Sequence, residues 1–262
     1  MEYLPKWLLP QDLLASSNHQ RLLSEIHFKS LIKRRMEKAS GSDLLRLQSN
    51  VKSPASWLGV VPCQQFQTLT PVVFRFALRS RLGLPVTQGG KCAQCPNARD
   101  TLGIHSSRCV KVRYPIHNGI RDTLHSMMKE GGLEVSTEDR DLLPGSDDRP
   151  ADVLWRNGPM GKTWCLDVSV VTYDMPNGIA AVEERKKALY DDRCRLQKLA
   201  FKPLIMNSLG AFSSEFDKFL RRVGELRAHR WNSDVHAAVK ETREKMQLTA
   251  VRLIAAATAG LL

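Results

Sequence analysis

Alternating apolar and polar residues mark two short strands in the middle of the chain, within residues 149–171 (RPADVLWRNGPMGKTWCLDVSVV). Successive side chains of a strand face opposite sides, so Leu166 and Asp167 point to different faces. The Gly and Pro residues between the two runs predict a turn centred at residues 159–160. The pattern therefore predicts a β-hairpin whose register places Asp152 opposite Asp167.

Helices and further strands are predicted on both sides of this hairpin. Apolar residues at helical spacing indicate an amphipathic helix over residues 113–130, and a strand follows at 133–137. Residues 178–200 are predicted to form a helix, and residues 203–209 another strand. The apolar stripe of the 178–200 helix contains Ile179, Val182, Leu189 and Leu196.

Two more helices are predicted towards the C-terminus. The first is expected to begin at a capping box of Ser214 and Asp217, with Phe216 inward, and the second near Asp234, with Val235 inward. Their outer faces are basic, as is the N-terminal segment around residues 33–35, and these faces are either solvated surfaces or nucleic-acid contacts. The order of elements predicts an α/β (α+β) fold with a mixed sheet flanked by helices.

The net charge points to a class of partner. The chain has 262 residues, a formal net charge of +12 and a pI of about 9.6, which favour polyanions: nucleic acid first, an anionic membrane surface second. No secretory signal is evident, and the apolar stretch 253–262 is far shorter than a membrane span. Six unevenly spaced cysteines do not resemble a disulfide framework, which favours a reducing, intracellular compartment.

Residues of metal-binding type are clustered between positions 92 and 109. Cys92, Cys95, His105 and Cys109 form a C-x2-C…H-x3-C arrangement. The two-residue gap allows a tight turn to present two thiolates to one ion, and the three-residue gap places His105 and Cys109 one helical turn apart. The spacing predicts a closed, structural Zn2+ site, and the alternative is a chance cluster of free thiols.

The facing aspartates of the hairpin are a second candidate metal site. Carboxylates with Cβ atoms roughly 5 Å apart repel, and a divalent cation between them removes that repulsion. Lys186 falls on the apolar stripe of the 178–200 helix and needs a partner, for which Asp152 and Asp167 are the candidates. Tyr190 lies one turn farther on the same side. The alternative is a surface hairpin that happens to carry two carboxylates.

Three basic residues are candidates for contacts with nucleic-acid phosphate. His117 and Arg121 lie one turn apart on the predicted 113–130 helix, and Arg149 precedes Asp152 by three positions. His117 and Arg121 are either surface polar residues or ligands of a phosphate held beside the aspartates.

An ordered series of motifs in this sequence resembles a known family. The motifs are SWLGVVP near 56, ALRSRLGLPV near 77, the C-x2-C…H-x3-C set, LPGSDDRPADV, CLDVSVV, the Lys186–Tyr190 pair and PLIMNSLGAF. They cover roughly residues 54–212. The series is similar to the restriction-like endonuclease domain, of the PD-(D/E)XK superfamily, found C-terminally in one group of non-LTR (LINE-type) retrotransposons, with the CCHC zinc knuckle that precedes it.

The resemblance implies a fold, a reaction and a set of residues. It implies a PD-(D/E)XK sheet and an endonuclease that nicks DNA with Mg2+ or Mn2+, in the nucleus. Asp152, Asp167 and the Val168 carbonyl would hold the catalytic ion. Lys186, displaced to the helix after the motif, would orient the attacking water or offset negative charge in the transition state, with Tyr190 beside it.

The sequence departs from the family motif at two positions, and the resemblance also divides the chain into regions. Ser169 stands where the motif usually has its Lys, and Ala151 separates Pro150 from Asp152. The implied regions are a helical N-terminal and linker region (1–85), the zinc knuckle (86–112), the endonuclease core (113–212) and basic C-terminal helices (213–262). The resemblance also implies a reverse transcriptase region in a longer polyprotein, with DNA or RNA/DNA intermediates as partners.

Two non-catalytic alternatives remain open. A decayed nuclease fold with an intact zinc knuckle would bind DNA or RNA without cleaving it, and Ser169 favours this possibility. A structural protein whose basic C-terminal helices bind an acidic protein is the other.

Overall fold

The computed structural model describes residues 19–52, 56–62, 65–92, 94–146 and 148–262. The first 18 residues of the predicted N-terminal region, and Asp147 of the motif LPGSDDRPADV, lie outside the described residues.

Helices and one small hairpin precede the main sheet. They are α1 (His19–Lys38), α2 (Gly41–Lys52), the 3₁₀ turns Ser56–Gly59 and Gln65–Gln67, α3 (Pro71–Leu82), β1 (Gly90–Lys91), β2 (Ala98–Arg99), α4 (Ile104–Arg108) and α5 (Val110–Glu130). Pro71 suits the first turn of α3 because its φ is fixed, and Gly83 ends that helix in the left-handed region at φ 72°. Helix α5 confirms the predicted 113–130 helix and begins three residues earlier.

The main sheet contains four strands in the order β3-β4-β5-β6. The remaining elements are β3 (Glu134–Thr137), β4 (Val153–Arg156), β5 (Thr163–Val171), α6 (Gly178–Leu196), β6 (Leu199–Asn207), α7 (Ser214–Trp231) and α8 (Val235–Ala259). Strands β3, β4 and β5 are antiparallel neighbours, whereas β6 runs parallel to β5 and is reached through α6. The fold is therefore mixed α/β, with a mixed sheet flanked by helices, as the sequence predicted.

The predicted register of the β4–β5 hairpin is confirmed. Val153 pairs with Leu166 and Trp155 pairs with Trp164. The connection is closed by a hydrogen bond from the Gly158 N–H to the Lys162 carbonyl, at 2.9 Å. This register brings the residue that precedes β4 to the part of β5 that carries Asp167.

The main core lies on one face of the sheet. The strand residues in it are Val153, Trp155, Leu166, Val168, Leu204 and Met206. The α5 stripe predicted from the sequence packs against them, and its members are at most 2% exposed: Ile116, Ile120, Leu124, Met127 and Met128. Helix α7 adds Phe216, Phe219, Leu220 and Val223 to the same core.

Helix α6 covers the opposite face of the sheet, and its predicted apolar stripe is wrong in part. Leu189 and Leu196 are 47% and 79% exposed. The buried positions of α6 are Gly178, Val182, Tyr190 and Cys194. The observed rotation of the helix packs Tyr190 and Cys194 against Leu154, Cys165 and Phe201 of the sheet. Lys186 keeps its predicted place in the inward row.

Two smaller predictions about the C-terminal helices are also corrected. The cap of α7 is Ser213, whose hydroxyl accepts the Phe216 N–H at 3.1 Å, and not Ser214. Val235, predicted to point inward, is 51% exposed because it occupies the first turn of α8, just after the Asp234 cap.

The N-terminal and C-terminal regions share a second apolar cluster. Its members are Trp57, Val73, Ala77, Leu248, Val251, Ala255 and Ala256. Helix α8 therefore packs against both α3 and the main core. No described helix has the length and apolar character that crossing a bilayer requires.

Close packing of α7 on α8 requires a glycine at position 224. A Cβ there would lie 2.6 Å from the Val239 Cα, which is backbone and cannot turn away. We expect Gly224→Ala to lower the free energy of unfolding by about 1–3 kcal/mol despite the better helix propensity of Ala. Chemical denaturation measures the change. Gly59→Ala is the control, since a Cβ there meets nothing within 4 Å, and equal stability of the two variants would contradict the packing argument.

Candidate functional site

The two hairpin aspartates meet where the β4–β5 ladder ends. Asp152 lies one residue before β4, and its N–H donates to the Leu166 carbonyl at 2.9 Å. Its Oδ2 accepts the Val168 N–H at 2.6 Å. Asp152 is therefore fixed by β5 backbone on both sides of Asp167, although it lies just beyond the paired residues of the ladder.

Asp167 is a buried carboxylate with one unpartnered oxygen. The residue is 4% exposed. Its Oδ1 accepts a hydrogen bond from the Lys186 Nζ at 2.9 Å, whereas its Oδ2 is buried and has no hydrogen-bond partner among the described residues. The pKa of this carboxyl is raised to about 6, chiefly by burial and in smaller part by the Asp152 charge, while the Lys186 ammonium opposes the rise.

Lys186 reaches Asp167 from the inward row of α6. Its ammonium also lies 5.8 Å from the centre of the Tyr190 ring, in a cation–π arrangement. That ring is buried and packs on Phe201, with centroids 5.3 Å apart. The structure thus brings Asp152, Asp167, Lys186 and Tyr190 into one cluster, in which the contact of Tyr190 is with the lysine.

Of the predicted phosphate contacts, only His117 lies in this cluster. Its Nε2 is 3.1 Å from the Asp152 Oδ1, and this hydrogen bond raises the pKa of the imidazole. Arg121 instead pairs with Asp122 and Glu138. Arg149 is exposed and makes no described contact with either aspartate.

Glu138 is a neighbour of the site that the sequence did not reveal. Its N–H donates to the Asp152 carbonyl at 3.3 Å. The contact follows from the pairing of β3 with β4, in which Thr137 faces Val153. The β3–β4 register is the feature that would have predicted this contact, because Glu138 belongs to no sequence motif.

The Cys and His residues predicted to bind zinc also come together. One potential ligand atom from each of Cys92, Cys95, His105 and Cys109 lies within 4.8 Å of the others. The Cys95 Sγ is 3.4 Å from the His105 Nε2, and the Cys92 Sγ is 4.0 Å from the Cys109 Sγ. The cluster could hold a metal ion, and three thiolates with one imidazole are compatible with structural zinc.

Local hydrogen bonds prepare this cluster for a cation. The Gln94 N–H donates to the Cys92 Sγ at 3.4 Å, and the pKa of that thiol is lowered to about 6, with this bond as the largest cause. Asp100 accepts the backbone N–H groups of Ile104 and His105 at 2.9 and 2.6 Å. These bonds orient the His105 turn towards the cysteines.

The cysteine cluster is attached to the elements that carry the aspartates. Cys109 is both a cluster member and the N-cap residue of α5, the helix that holds His117. Arg108 donates to the Thr172 hydroxyl at 2.8 Å and to the Asp174 carboxylate at 2.6 Å, just after β5 ends. Cys109 and the adjacent Arg108 therefore connect the cluster to α5 and to the end of β5.

Comparison with known proteins adds no relative. A scan against models of protein families matches none of them, and a search of curated proteins finds no match. The family resemblance therefore stays a prediction from the sequence.

Removing a cluster cysteine should remove the metal. We expect the purified chain to contain one zinc ion, Cys95→Ala to contain none, and a chelator to lower the Tm of the original chain while leaving that of the variant unchanged. Elemental analysis and thermal unfolding measure both effects. Cys194→Ala is the control, because that thiol is buried against the sheet. Retention of stoichiometric zinc by Cys95→Ala would show that the ligand set is different.

The raised pKa of Asp167 has a consequence for stability. The folded state holds this proton more tightly than the unfolded state, whose pKa is about 3.8. We therefore compare the free energy of unfolding of the original chain with that of Asp167→Asn at the same pH. This difference should fall by up to about 3 kcal/mol as pH rises from about 4 to about 6, and it should stay level above that range. Denaturant titrations at a series of pH values measure it. A difference between the original chain and Asp167→Asn that does not change with pH would contradict the burial effect.

Proposed function

We propose that this chain is a metal-dependent nuclease that hydrolyses phosphodiester bonds in DNA at the Asp152–Asp167–Lys186 centre. The observation that carries the proposal is the Asp167 Oδ2, a buried carboxylate oxygen that has no hydrogen-bond partner in the described part of the chain and lies near a second carboxylate. Such an atom is costly in a folded protein unless something binds it. The order α5-β3-β4-β5-α6-β6 supports the finer proposal of a PD-(D/E)XK-type fold.

The donor set fits Mg2+ or Mn2+, which prefer oxygen ligands. Asp152 and Asp167 would each supply a carboxylate oxygen. The Val168 N–H points to Asp152, and the carbonyl of the same residue in an extended strand points to the same edge. When bound, the ion lowers the pKa of a coordinated water and neutralises charge on the scissile phosphate.

The protein side chains have separate tasks in this mechanism. Lys186 places a positive charge next to Asp167 and would stabilise negative charge that develops on the phosphate oxygens. Tyr190 restrains the lysine by packing its ring beside the ammonium. His117 orients Asp152 through its hydrogen bond, so we treat it as a positioning residue and not as a phosphate ligand.

Exposed basic side chains would hold the nucleic acid through its backbone. Arg221 and Arg222 of α7 are exposed, although both interact with Glu225. Arg227 of α7 and Lys245 of α8 pair with Glu130. The N-terminal helix α1 supplies further exposed cations, among them Lys29, Lys33 and Arg35. A nuclear location and a reverse transcriptase region in a longer polyprotein stay predictions.

Cleavage of supercoiled plasmid tests the proposal. With Mg2+ or Mn2+ we expect conversion to nicked circles, loss of that activity in Asp152→Ala and Asp167→Asn, and a decrease of about 100-fold in Lys186→Ala. DNA affinity should change little in all three variants, because the basic surface is intact. Asp191→Asn is the matched control. Undiminished nicking by Asp152→Ala would mean that the site is assigned wrongly.

A second candidate function is supported by the same geometry. Both Asp152 oxygens already have hydrogen-bond partners, Lys186 neutralises Asp167, and Ser169 replaces the usual motif lysine. A zinc-containing module that binds nucleic acid without cleaving it would keep these contacts permanently. It predicts salt-sensitive binding, stoichiometric zinc and no heat of Mg2+ binding by calorimetry. Measurable Mg2+ binding that Asp167→Asn abolishes would favour the nuclease.

A further inference from the structure

The first turns of α5 carry a basic and aromatic surface that the proposed reaction does not use. Lys111, Arg113 and Tyr114 are exposed there, whereas the intervening Val112 is buried. Tyr114 is 57% exposed. Among the described residues, neither Lys111 nor Arg113 forms an ion pair. The surface therefore has uncompensated positive charge around an aromatic ring.

The Tyr114 ring is held in place by its neighbour. The Arg113 guanidinium donates to the Tyr114 hydroxyl at 3.2 Å and lies 4.9 Å from the centre of the ring. A ring fixed in this way loses little conformational freedom when a flat partner stacks on it, and the guanidinium is available to a phosphate.

Helix geometry places this pair next to the acidic centre. Arg113 and Tyr114 precede His117 by four and three positions, so both are its neighbours one turn away, with Cβ atoms about 5–6 Å apart. His117 in turn contacts Asp152 at 3.1 Å. If a DNA strand has a phosphate at Asp152 and Asp167, a nucleotide adjacent to that phosphate would lie beside Tyr114.

We propose that Tyr114 and Arg113 form a stacking platform for an unpaired base next to the scissile phosphate. The proposed substrate is therefore DNA with a single-stranded gap or flap at the cleavage position, in preference to a fully paired duplex. A base inside a duplex already stacks on its neighbours and presents no free face to the ring. This inference rests on the proposed function, because that function places the phosphate beside the platform.

The test is a binding experiment without cleavage. The zinc-loaded chain, in buffer free of Mg2+ and Mn2+, is titrated into two oligonucleotide substrates that carry 2-aminopurine, one gapped at the fluorescent base and one fully paired. We expect tighter binding of the gapped substrate and quenching of its fluorescence. Tyr114→Ala should weaken that binding by about 5- to 150-fold and abolish the quenching, whereas Tyr114→Phe should keep both. Arg113→Gln should also reduce the slope of log affinity against log salt concentration by about 1.

The chain supplies a matched control at the other end of α5. Trp231 is 65% exposed, and the Arg230 guanidinium lies 5.6 Å from the centre of its ring. Its indole N–H donates to the carbonyl of Glu130, which lies about 24 Å from Tyr114 along α5. Trp231 therefore offers a similar pair of aromatic ring and guanidinium far from the acidic centre. Trp231→Ala should leave binding of the gapped substrate unchanged.

The outcomes separate this inference from the nuclease proposal. Unchanged affinity and quenching in Tyr114→Ala, or an equal loss in Trp231→Ala, would overturn the platform even if the chain nicks plasmid. Absence of nicking with Mg2+, together with Tyr114-dependent quenching, would overturn the nuclease instead and leave a platform of the binding module.

Discussion

The ion pair between Asp167 and Lys186 is the interaction on which the arrangement of β5, α6 and β6 depends. A carboxylate that is 4% exposed is stable in its charged form only when a cation or hydrogen-bond donors replace its water. Leaving such a charge without its partner costs on the order of 3–5 kcal/mol. Because Lys186 must reach Asp167, α6 can lie on the sheet in only a narrow range of rotations. Tyr190 and Cys194 then become buried, and Leu189 becomes exposed.

Each aspartate of the centre is bonded to a basic side chain from a different helix. Lys186 of α6 contacts Asp167, and His117 of α5 contacts Asp152. The sheet lies between these helices, so the two helices approach the carboxylates from different sides. This division explains how the fold tolerates two neighbouring acids. The pKa of Asp167 is still raised, because its carboxyl is buried and lies near the Asp152 charge. Groups with such perturbed pKa values are concentrated at functional sites, where stability is exchanged for chemistry.

Helix α5 connects this centre to the cysteine cluster. Its N-cap residue, Cys109, belongs to the cluster, and the inner stripe from Ile116 to Met128 forms the middle of the main core. Arg108 ties the same region to Thr172, after the end of β5. The cluster is thus in a position to fix α5 relative to β5, which is the geometry that the contact between His117 and Asp152 needs.

The sequence by itself determined the local features of this protein. Period-two alternation and one turn specified the β4–β5 register, helical periodicity specified the α5 stripe, and the Cys and His spacing specified which residues gather. These signals succeed because each depends on residues close in sequence. The tertiary structure alone decided which face of α6 is buried, that Arg121 pairs with Glu138, and that His117 turns to Asp152. Those outcomes depend on how separate elements pack against one another. A charged side chain pairs with the opposite charge that this packing brings within reach, and the spacing of residues along the chain does not specify that partner.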